Sequence, residues 1–122
     1  MQALTIVVYQ SDTRISQALA AELSRHFSSV HVTNNLYELH TAIPRHRAEV
    51  AILDIEGTQV VEVERLHREF PGLSIVCTHR VADEEMWARV LNAGASDMFP
   101  TCDTEGIVMS AVRQSTGTHV AA

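Results

Sequence analysis

The most apolar run in the chain, Val-Ala-Ile-Leu at residues 50–53, ends at a carboxylate, Asp54. A carboxylate at the carboxyl end of a buried strand is a common way for a parallel α/β sheet to present a reactive group. Such a group can act as a nucleophile, bind a metal cation or cap backbone N–H groups. The chain contains no lysine, and all nine of its basic residues are arginine. Chemistry that needs an ammonium group beside Asp54 therefore has no residue of this chain to supply it.

Other polar groups also follow predicted strands. They are Gln10, Ser11 and Asp12 after the first strand, Thr78 after the fourth, and Thr101 and Cys102 after the fifth. Because the carboxyl ends of parallel strands meet at one edge of a sheet, we expect these side chains to lie near Asp54. This edge is the predicted location of a functional site.

The hydrophobic period switches repeatedly between a strand pattern and a helix pattern, which predicts five strand–helix units. Strands are predicted at residues 4–9, 30–33, 49–53, 73–77 and 97–99. Helices are predicted at residues 13–27, 59–70, 83–93 and 104–114, and another begins at Asn34 or Asn35 and has Pro44 in its last turn. Short buried strands that alternate with helices require a parallel sheet covered on both faces. One α/β domain is predicted over residues 1–114, followed by a flexible C-terminal tail at residues 115–122.

The composition of the chain argues against several classes of function. Of the 122 residues, 46% are hydrophobic and 20% are charged, as in an ordinary globular domain. The net charge of −6 argues against direct nucleic-acid binding, which draws much of its affinity from phosphate neutralisation. No apolar stretch approaches the ~20 residues of a membrane span, and the strand-like start does not resemble a secretory signal. We expect a cytoplasmic protein with neither a nucleic-acid nor a membrane partner.

Three segments together resemble those of one protein family. They are the strand that ends at Asp54, the strand at residues 74–78 that ends at Thr78, and residues 90–99, Val-Leu-Asn-Ala-Gly-Ala-Ser-Asp-Met-Phe. Over residues 4–114 the chain resembles the receiver domain of two-component response regulators, the CheY-like fold. The resemblance implies a flavodoxin-like (βα)5 three-layer sandwich in which five parallel strands have the order 2-1-3-4-5.

The resemblance also implies a chemistry. In receivers a histidine kinase supplies a phosphoryl group to the aspartate that ends the third strand, which here is Asp54. The hydroxyl of Thr78 would hydrogen-bond one phosphoryl oxygen. A divalent cation held by acidic residues, and a lysine after the fifth strand, would neutralise the others. Such a domain is not an enzyme beyond its own phosphorylation at Asp54.

Four departures from the receiver pattern fall on this edge of the sheet. Gln10 and Ser11 replace the acidic pair, so that Asp12 is the nearest carboxylate. Thr101 stands at the lysine position, and Cys102 replaces the proline that follows it. The loop after the third strand is shorter than usual. We therefore expect phosphorylation to be slow or absent.

A weak Mg²⁺ site is still predicted at Asp12, Asp54 and Glu56. Asp12 is also a good helix N-cap, Glu56 can face solvent instead, and Asp54 can serve as a strand-terminal cap. Arg80 is the only nearby cation that could stand in for the lysine. The favoured hypothesis is a divergent, receiver-like signalling module that acts through protein–protein contact.

The predicted contact surface lies on the fourth helix and the fifth strand. The Met86–Val90 and Trp87–Leu91 spacings form two adjacent apolar stripes, which is more than one buried face requires. Trp87 and Leu91 are therefore candidate surface residues, although Trp87 could instead pack in the core. The resemblance, in which the fifth strand belongs to the contact face, adds Met98. The resemblance implies a histidine kinase or other signalling partner, or a homodimer through the fourth helix, fifth strand and fifth helix.

An alternative function uses thiols. Cys77 and Cys102 would end neighbouring strands in the order 2-1-3-4-5, where they could line a redox- or small-molecule-responsive crevice with Thr101. A thiol pair or a metal site with His79 is conceivable, and two independent thiols are the simpler interpretation. No glycine-rich phosphate loop, Walker lysine or GxSxG motif supports an enzymatic function.

Overall fold

The computed structural model describes residues 2–56 and 58–120, in which strands and helices alternate. The strands are β1 (Gln2–Tyr9), β2 (Phe27–Thr33), β3 (Val50–Asp54), β4 (Ser74–His79) and β5 (Asp97–Pro100). The helices are α1 (Thr13–Leu23), α2 (Leu36–His46), α3 (Val60–Glu69), α4 (Glu84–Ala93) and α5 (Thr104–Val120). The strands pair in parallel in the order β2-β1-β3-β4-β5. The predicted (βα)5 architecture and strand order are confirmed.

Helices cover both faces of the sheet, and the central strand β3 is therefore buried along its whole length. Because side chains alternate along a strand, Ala51 and Leu53 pack on one face and Val50 and Ile52 on the other. The first face contacts α2, α3 and α4, and the second contacts α1 and α5. The sheet thus separates two cores, and the polar residues at its carboxyl edge must face one core or the other.

The first helix is shorter than predicted. It ends at Leu23 rather than near residue 27, and β2 begins earlier, at Phe27. The side chain of Phe27 is only 2% exposed and packs in the core beneath α1 and α5. Burial of an aromatic side chain stabilises the fold by roughly 1.5–3 kcal/mol, which exceeds what one more turn of exposed helix would contribute.

The last helix is longer than predicted. It continues to Val120, past the expected end at residue 114. Ser115 is fully buried, and its hydroxyl donates to the backbone oxygen of Val112 at 2.8 Å. The first residue of the predicted tail is therefore packed against the domain, whereas residues 121–122 lie outside the described part. The domain boundary at residue 114 and the flexibility of the tail stay predictions. Within residues 2–56 and 58–120, no helix has the length and apolarity needed to cross a bilayer.

Gly94 ends α4 in the left-handed region, with φ at 117°, as its position after the helix predicts. A Cβ atom there would lie 2.5 Å from Cγ of His67 on α3. We expect Gly94→Ala to lower the free energy of unfolding by about 1–3 kcal/mol from backbone strain, with a further loss from this clash. Urea denaturation followed by circular dichroism measures the change.

Two further variants separate the causes. Gly72→Ala is the matched control, because a Cβ at Gly72 meets nothing within 4 Å, and it should change stability by less than about 1 kcal/mol. His67→Ala should recover only part of the steric loss when it is combined with Gly94→Ala, because it removes the His67 ring but keeps the Cβ that would lie 2.7 Å from the new Cβ. A Gly94→Ala protein as stable as the parent would contradict the assignment of strain at this C-cap.

Candidate functional site

Four polar side chains at the carboxyl edge share one face of the sheet. The inward residues on the α1 and α5 side are Leu4, Ile6 and Val8 of β1, Val50 and Ile52 of β3, and Val76 of β4. The same alternation continues to Gln10, Asp54 and Thr78, and Phe99 on this side precedes Thr101 by two positions. All four polar residues are buried. Strand periodicity therefore brings most of the predicted edge residues together.

A cleft of about 820 Å³ opens above this edge. It is lined by Ser11, Asp12, Thr13, Arg14, Ile15, Asp54, Glu56, Arg80 and Thr101. The lining combines three carboxylates with two guanidinium groups, so the cleft is polar and slightly anionic.

Asp54 is held in this cleft by neutral donors. Its side chain is 3% exposed. Oδ2 accepts hydrogen bonds from the backbone N–H of Ser11 at 2.9 Å and from the Ser11 hydroxyl at 2.6 Å. Oδ1 accepts one from the backbone N–H of Glu56 at 2.8 Å. In the part of the chain that the structure describes, no ion pair includes Asp54.

Thr78 is hydrogen-bonded to Gln10 below the cleft. The Gln10 side-chain amide donates to the Thr78 hydroxyl, with 3.0 Å between Nε2 and Oγ1. Both residues are buried, at 4% and 0% exposure. The hydroxyl that the resemblance assigns to a phosphoryl oxygen thus has a protein partner already. Residue type alone did not indicate this pair, since the two residues are 68 positions apart.

Arg80 pairs with Glu56 across the mouth of the cleft. Its Nε lies 2.7 Å from Oε1 of Glu56, and its backbone N–H donates to Oε2 at 3.2 Å. The hydrogen bond to Glu56, followed by the charge of Glu56, raises the pKa of the Arg80 side chain. Glu56, which can face solvent, turns its side chain to Arg80. Arg80 forms its ion pair with Glu56, and the charge of Asp54 adds to the raised pKa of the Arg80 side chain.

The predicted carboxylate set for Mg²⁺ is not assembled. Asp12 caps α1 instead, with Oδ1 accepting from the backbone N–H of Arg14 at 2.9 Å. Glu56 is turned to Arg80, which leaves Asp54 as the one carboxylate directed inward at this edge among the described residues. Within those residues, no group of three or more His, Cys, Asp or Glu side chains is placed to hold a metal ion. The weak Mg²⁺ site at Asp12, Asp54 and Glu56 stays a prediction, since Mg²⁺ can be held by one or two carboxylates and several waters.

Thr101, at the lysine position, carries an unpaired polar group. Its backbone N–H donates to the carbonyl of His79 at 3.0 Å. Its side chain is 6% exposed, and the hydroxyl has no hydrogen-bond partner within the described structure. A buried hydroxyl without a partner costs about 1–3 kcal/mol. Buried polar groups without a partner are rare in native proteins, and this one lies at the wall of the cleft.

The two thiols do not share a crevice. Cys77 lies on the opposite face of the sheet from Asp54, fully buried in the core beneath α3 and α4, and burial raises the pKa of its thiol to about 12. Cys102 is exposed, and both cysteines are free. His79 accepts a local hydrogen bond from the backbone N–H of Val81 at 3.0 Å. The predicted Cys77–Cys102 crevice is wrong, because Cys77 is buried inside the core whereas Cys102 lies exposed beyond the end of β5.

The residues of the predicted contact surface differ in exposure, and their role in contact with a partner stays a prediction. Trp87 is 47% exposed and Leu91 is partly exposed, whereas Val90 is buried and Met86 packs against the core. Met98 is 5% exposed and packs in the core on the α3 and α4 face. Its assignment to the surface is wrong, because the alternation of β5 turns it inward. Of the two apolar stripes on α4, one is buried and the Trp87 stripe faces outward.

Solved structures that superpose on this chain include receiver domains. A signal receiver domain of a response regulator from Bacteroides fragilis superposes with a TM-score of 0.84 at 21% identity, covering 93% of this chain and 98% of that one. A CheY-like receiver from Methanospirillum hungatei JF-1 gives 0.87 at 17% identity, covering 99% and 100%. An atypical orphan response regulator, described with a phosphorylation-independent regulatory mechanism, gives 0.80 at 10% identity, covering 91% and 94%.

These comparisons confirm the resemblance at the level of fold. The chain has the receiver-domain fold of two-component response regulators over nearly its whole length. No family model matches the chain, and no curated protein is a significant relative. The function must therefore be argued from the residues of the cleft.

Proposed function

We propose that this protein is a receiver-type signalling module that works without phosphorylation of Asp54. The observation that carries the proposal is the environment of Asp54, a buried carboxylate held by three hydrogen bonds from neutral donors, with no ion pair in the described residues. A phosphoryl group needs cationic partners for its developing charge. Each charge-assisted contact of that kind is worth about 1.5–3 kcal/mol, and the cleft offers none that is free of another partner.

The neighbouring groups support the same interpretation. The Thr78 hydroxyl is hydrogen-bonded to Gln10, and the Arg80 side chain is paired with Glu56. A phosphoryl group on Asp54 would have to displace both pairs. It would also lie beside the Glu56 carboxylate without a metal ion to reduce the repulsion. A structural neighbour is an orphan regulator described with a phosphorylation-independent mechanism, so the fold is compatible with such a function.

The proposed output is a protein–protein contact through the outer face of α4. Trp87 and Leu91 form its apolar part, and Asp83, Glu84 and Glu85 at the start of the helix form an acidic rim. A half-exposed tryptophan is the type of side chain that anchors interfaces. The proposed partner is a histidine kinase or another signalling protein of the cytoplasm, or a second copy of this chain.

The test is a titration with Mg²⁺ and beryllofluoride, the mimic of an aspartyl phosphate, followed by ¹H–¹⁵N NMR. We expect no saturable shift at Ser11, Asp54, Thr78 or α4 at millimolar reagent, because the cation set is missing. The fluorescence of Trp87, the only tryptophan in the chain, should also stay constant. Asp54→Asn is the matched control. A saturable response in the parent that disappears in this variant would show that Asp54 still accepts a phosphoryl mimic.

A further inference from the structure

The cleft above Asp54 continues into a second cavity. The second cavity has a volume of about 350 Å³ and is lined by Ile15, Ala18, Arg80, Thr101, Cys102 and Thr104. It shares Ile15, Arg80 and Thr101 with the first. The two form one groove, in which Asp54 lines only the first cavity and Ala18 only the second, while Ile15 borders both. A ligand that fills this groove needs a polar head and an apolar stem.

The head group that Asp54 can accept is a cation. A carboxylate offers about four acceptor positions, and the three hydrogen bonds to Asp54 leave one of them open on Oδ1. The charge is buried at 3% exposure, and no described residue forms an ion pair with it. A compact ammonium group suits a single open position, whereas a guanidinium needs two parallel acceptors and Oδ2 is already occupied twice.

Thr101 supplies an independent observation at the same groove. Its hydroxyl is buried and unpaired in the described structure, and the residue lines both cavities. Rotation of this side chain about χ1 would offer the hydroxyl oxygen as an acceptor to a group in the groove. A donor with several N–H bonds, such as an ammonium, could then satisfy Asp54 and Thr101 together.

We propose that the groove binds a primary alkylammonium group, with its nitrogen at Asp54 and its hydrocarbon stem against Ile15 and Ala18. The group can belong to a free amine or to a lysine side chain of a partner protein, since both have the same chemistry. The proposal rests on the proposed function, because a phosphorylated Asp54 would be blocked for this ligand. Binding would make the state of the cleft depend on an external ammonium group, since the chain has no lysine.

The test is a ¹H–¹⁵N NMR titration at pH 7 with two amines and their neutral counterparts. The amines are n-butylamine and Nα-acetyl-lysine methylamide, and the counterparts are 1-butanol and Nα-acetyl-norleucine methylamide. We expect saturable shifts at Ser11, Asp54 and Thr101 with the amines alone. A norleucine derivative that binds as tightly as the lysine derivative would overturn the proposal. Tighter binding of the lysine derivative than of butylamine would favour a partner's side chain, and equal binding would favour a free amine.

Matched variants locate the binding group. Asp54→Asn should weaken amine binding about tenfold or more, whereas Asp12→Asn, which removes an equal charge at the cleft mouth and keeps the helix cap, should change it less than about threefold. Equal losses in both variants would reduce the effect to general charge attraction and overturn the assignment. Thr101→Val, which keeps the shape of the side chain, should weaken binding severalfold. Unchanged affinity in this variant would remove Thr101 from the proposed site.

The same samples separate this proposal from the proposed function. Amine binding without a beryllofluoride response supports both the alkylammonium site and the phosphate-independent function. A lack of response to either reagent overturns the alkylammonium site and leaves the phosphate-independent function standing. A beryllofluoride response that needs Asp54 overturns the proposed function, and with it the premise of the amine site.

Discussion

The triple variant Gln10→Asp, Ser11→Asp, Thr101→Lys should bind beryllofluoride in the presence of Mg²⁺, where the parent does not. The three changes restore the acidic pair and the lysine at the positions where the receiver resemblance places them. They also release groups that are engaged in the parent. Loss of the Ser11 hydroxyl removes one donor from Asp54 Oδ2, and loss of the Gln10 amide frees the Thr78 hydroxyl. The fold already orients Asp54 and Thr78 toward the same edge.

The expected gain is large because the restored contacts carry charge. At about 1.5–3 kcal/mol for each charge-assisted contact, the metal ligands and the lysine together should raise the affinity for the mimic at least about a hundredfold. Isothermal titration calorimetry with Mg²⁺ and beryllofluoride measures this affinity, and the shift of the α4 amides reports whether the signal reaches Trp87.

Partial variants give the controls. Thr101→Lys alone and Gln10→Asp/Ser11→Asp alone should each respond weakly, since the metal ion and the ammonium act on the same phosphoryl oxygens. Asp54→Asn in the triple background should abolish the response. A folded triple variant that still fails to respond would mean that the short loop after β3, and not the missing charges, prevents the chemistry.

Cys77 should be inert to thiol reagents in the native protein, and Cys102 should react. Cys77 is fully buried, and burial raises the pKa of its thiol to about 12, whereas Cys102 is exposed. At pH 8 a pKa near 12 leaves only about one thiolate in ten thousand, and the reagent must also enter the core. Titration with Ellman's reagent should therefore detect one thiol in the native protein and two in guanidinium chloride. The native rates at the two sites should differ by at least about a thousandfold.

Cys102→Ser provides the control, because native protein with this change should show no rapidly reacting thiol. Rapid modification of Cys77 in the folded state would revive the thiol-based function.

The raised pKa of Cys77 also makes the free energy of unfolding depend on pH. Between pH 9 and pH 12 the folded state retains a proton on Cys77 that the unfolded chain releases, so this residue lowers the free energy of unfolding as the pH rises above 9. Below about pH 7.5, a unit under the ordinary pKa of a thiol, Cys77 contributes little pH dependence.

Strand periodicity predicted more of the site than the individual residues did. The alternation that places Ile52 inward also places Asp54 on the α1 and α5 face, and it places Cys77 and Met98 on the opposite face. The assignment of Met98 to the surface failed for this reason, and reading the strands in steps of two from their buried residues would have corrected it. The Cys77–Cys102 crevice failed because Cys102 is exposed beyond the end of β5, where strand alternation no longer applies.

The amino-acid sequence by itself determined the five strand–helix units, the position of Asp54 at the end of β3, and the caps at Asp12 and Gly94. These features follow from hydrophobic period, local hydrogen bonding and backbone conformation, all of which act over a few residues. The sequence also shows that the chain has no lysine. It therefore lacks one of the charged groups that bind the phosphoryl group in receivers.

Only the tertiary structure decided how the polar groups of the cleft pair. Gln10 meets Thr78 across 68 positions and Glu56 meets Arg80 across 24, while Thr101 is left with an unpaired hydroxyl. Each of these residues has several possible partners at the edge of the sheet. The choice among these partners depends on the register of neighbouring strands and on how the side chains pack at the edge of the sheet. Neither can be predicted from a short segment of the sequence. The pairing of polar groups in the cleft therefore depends on tertiary packing, whereas the fold follows from the hydrophobic pattern of the sequence.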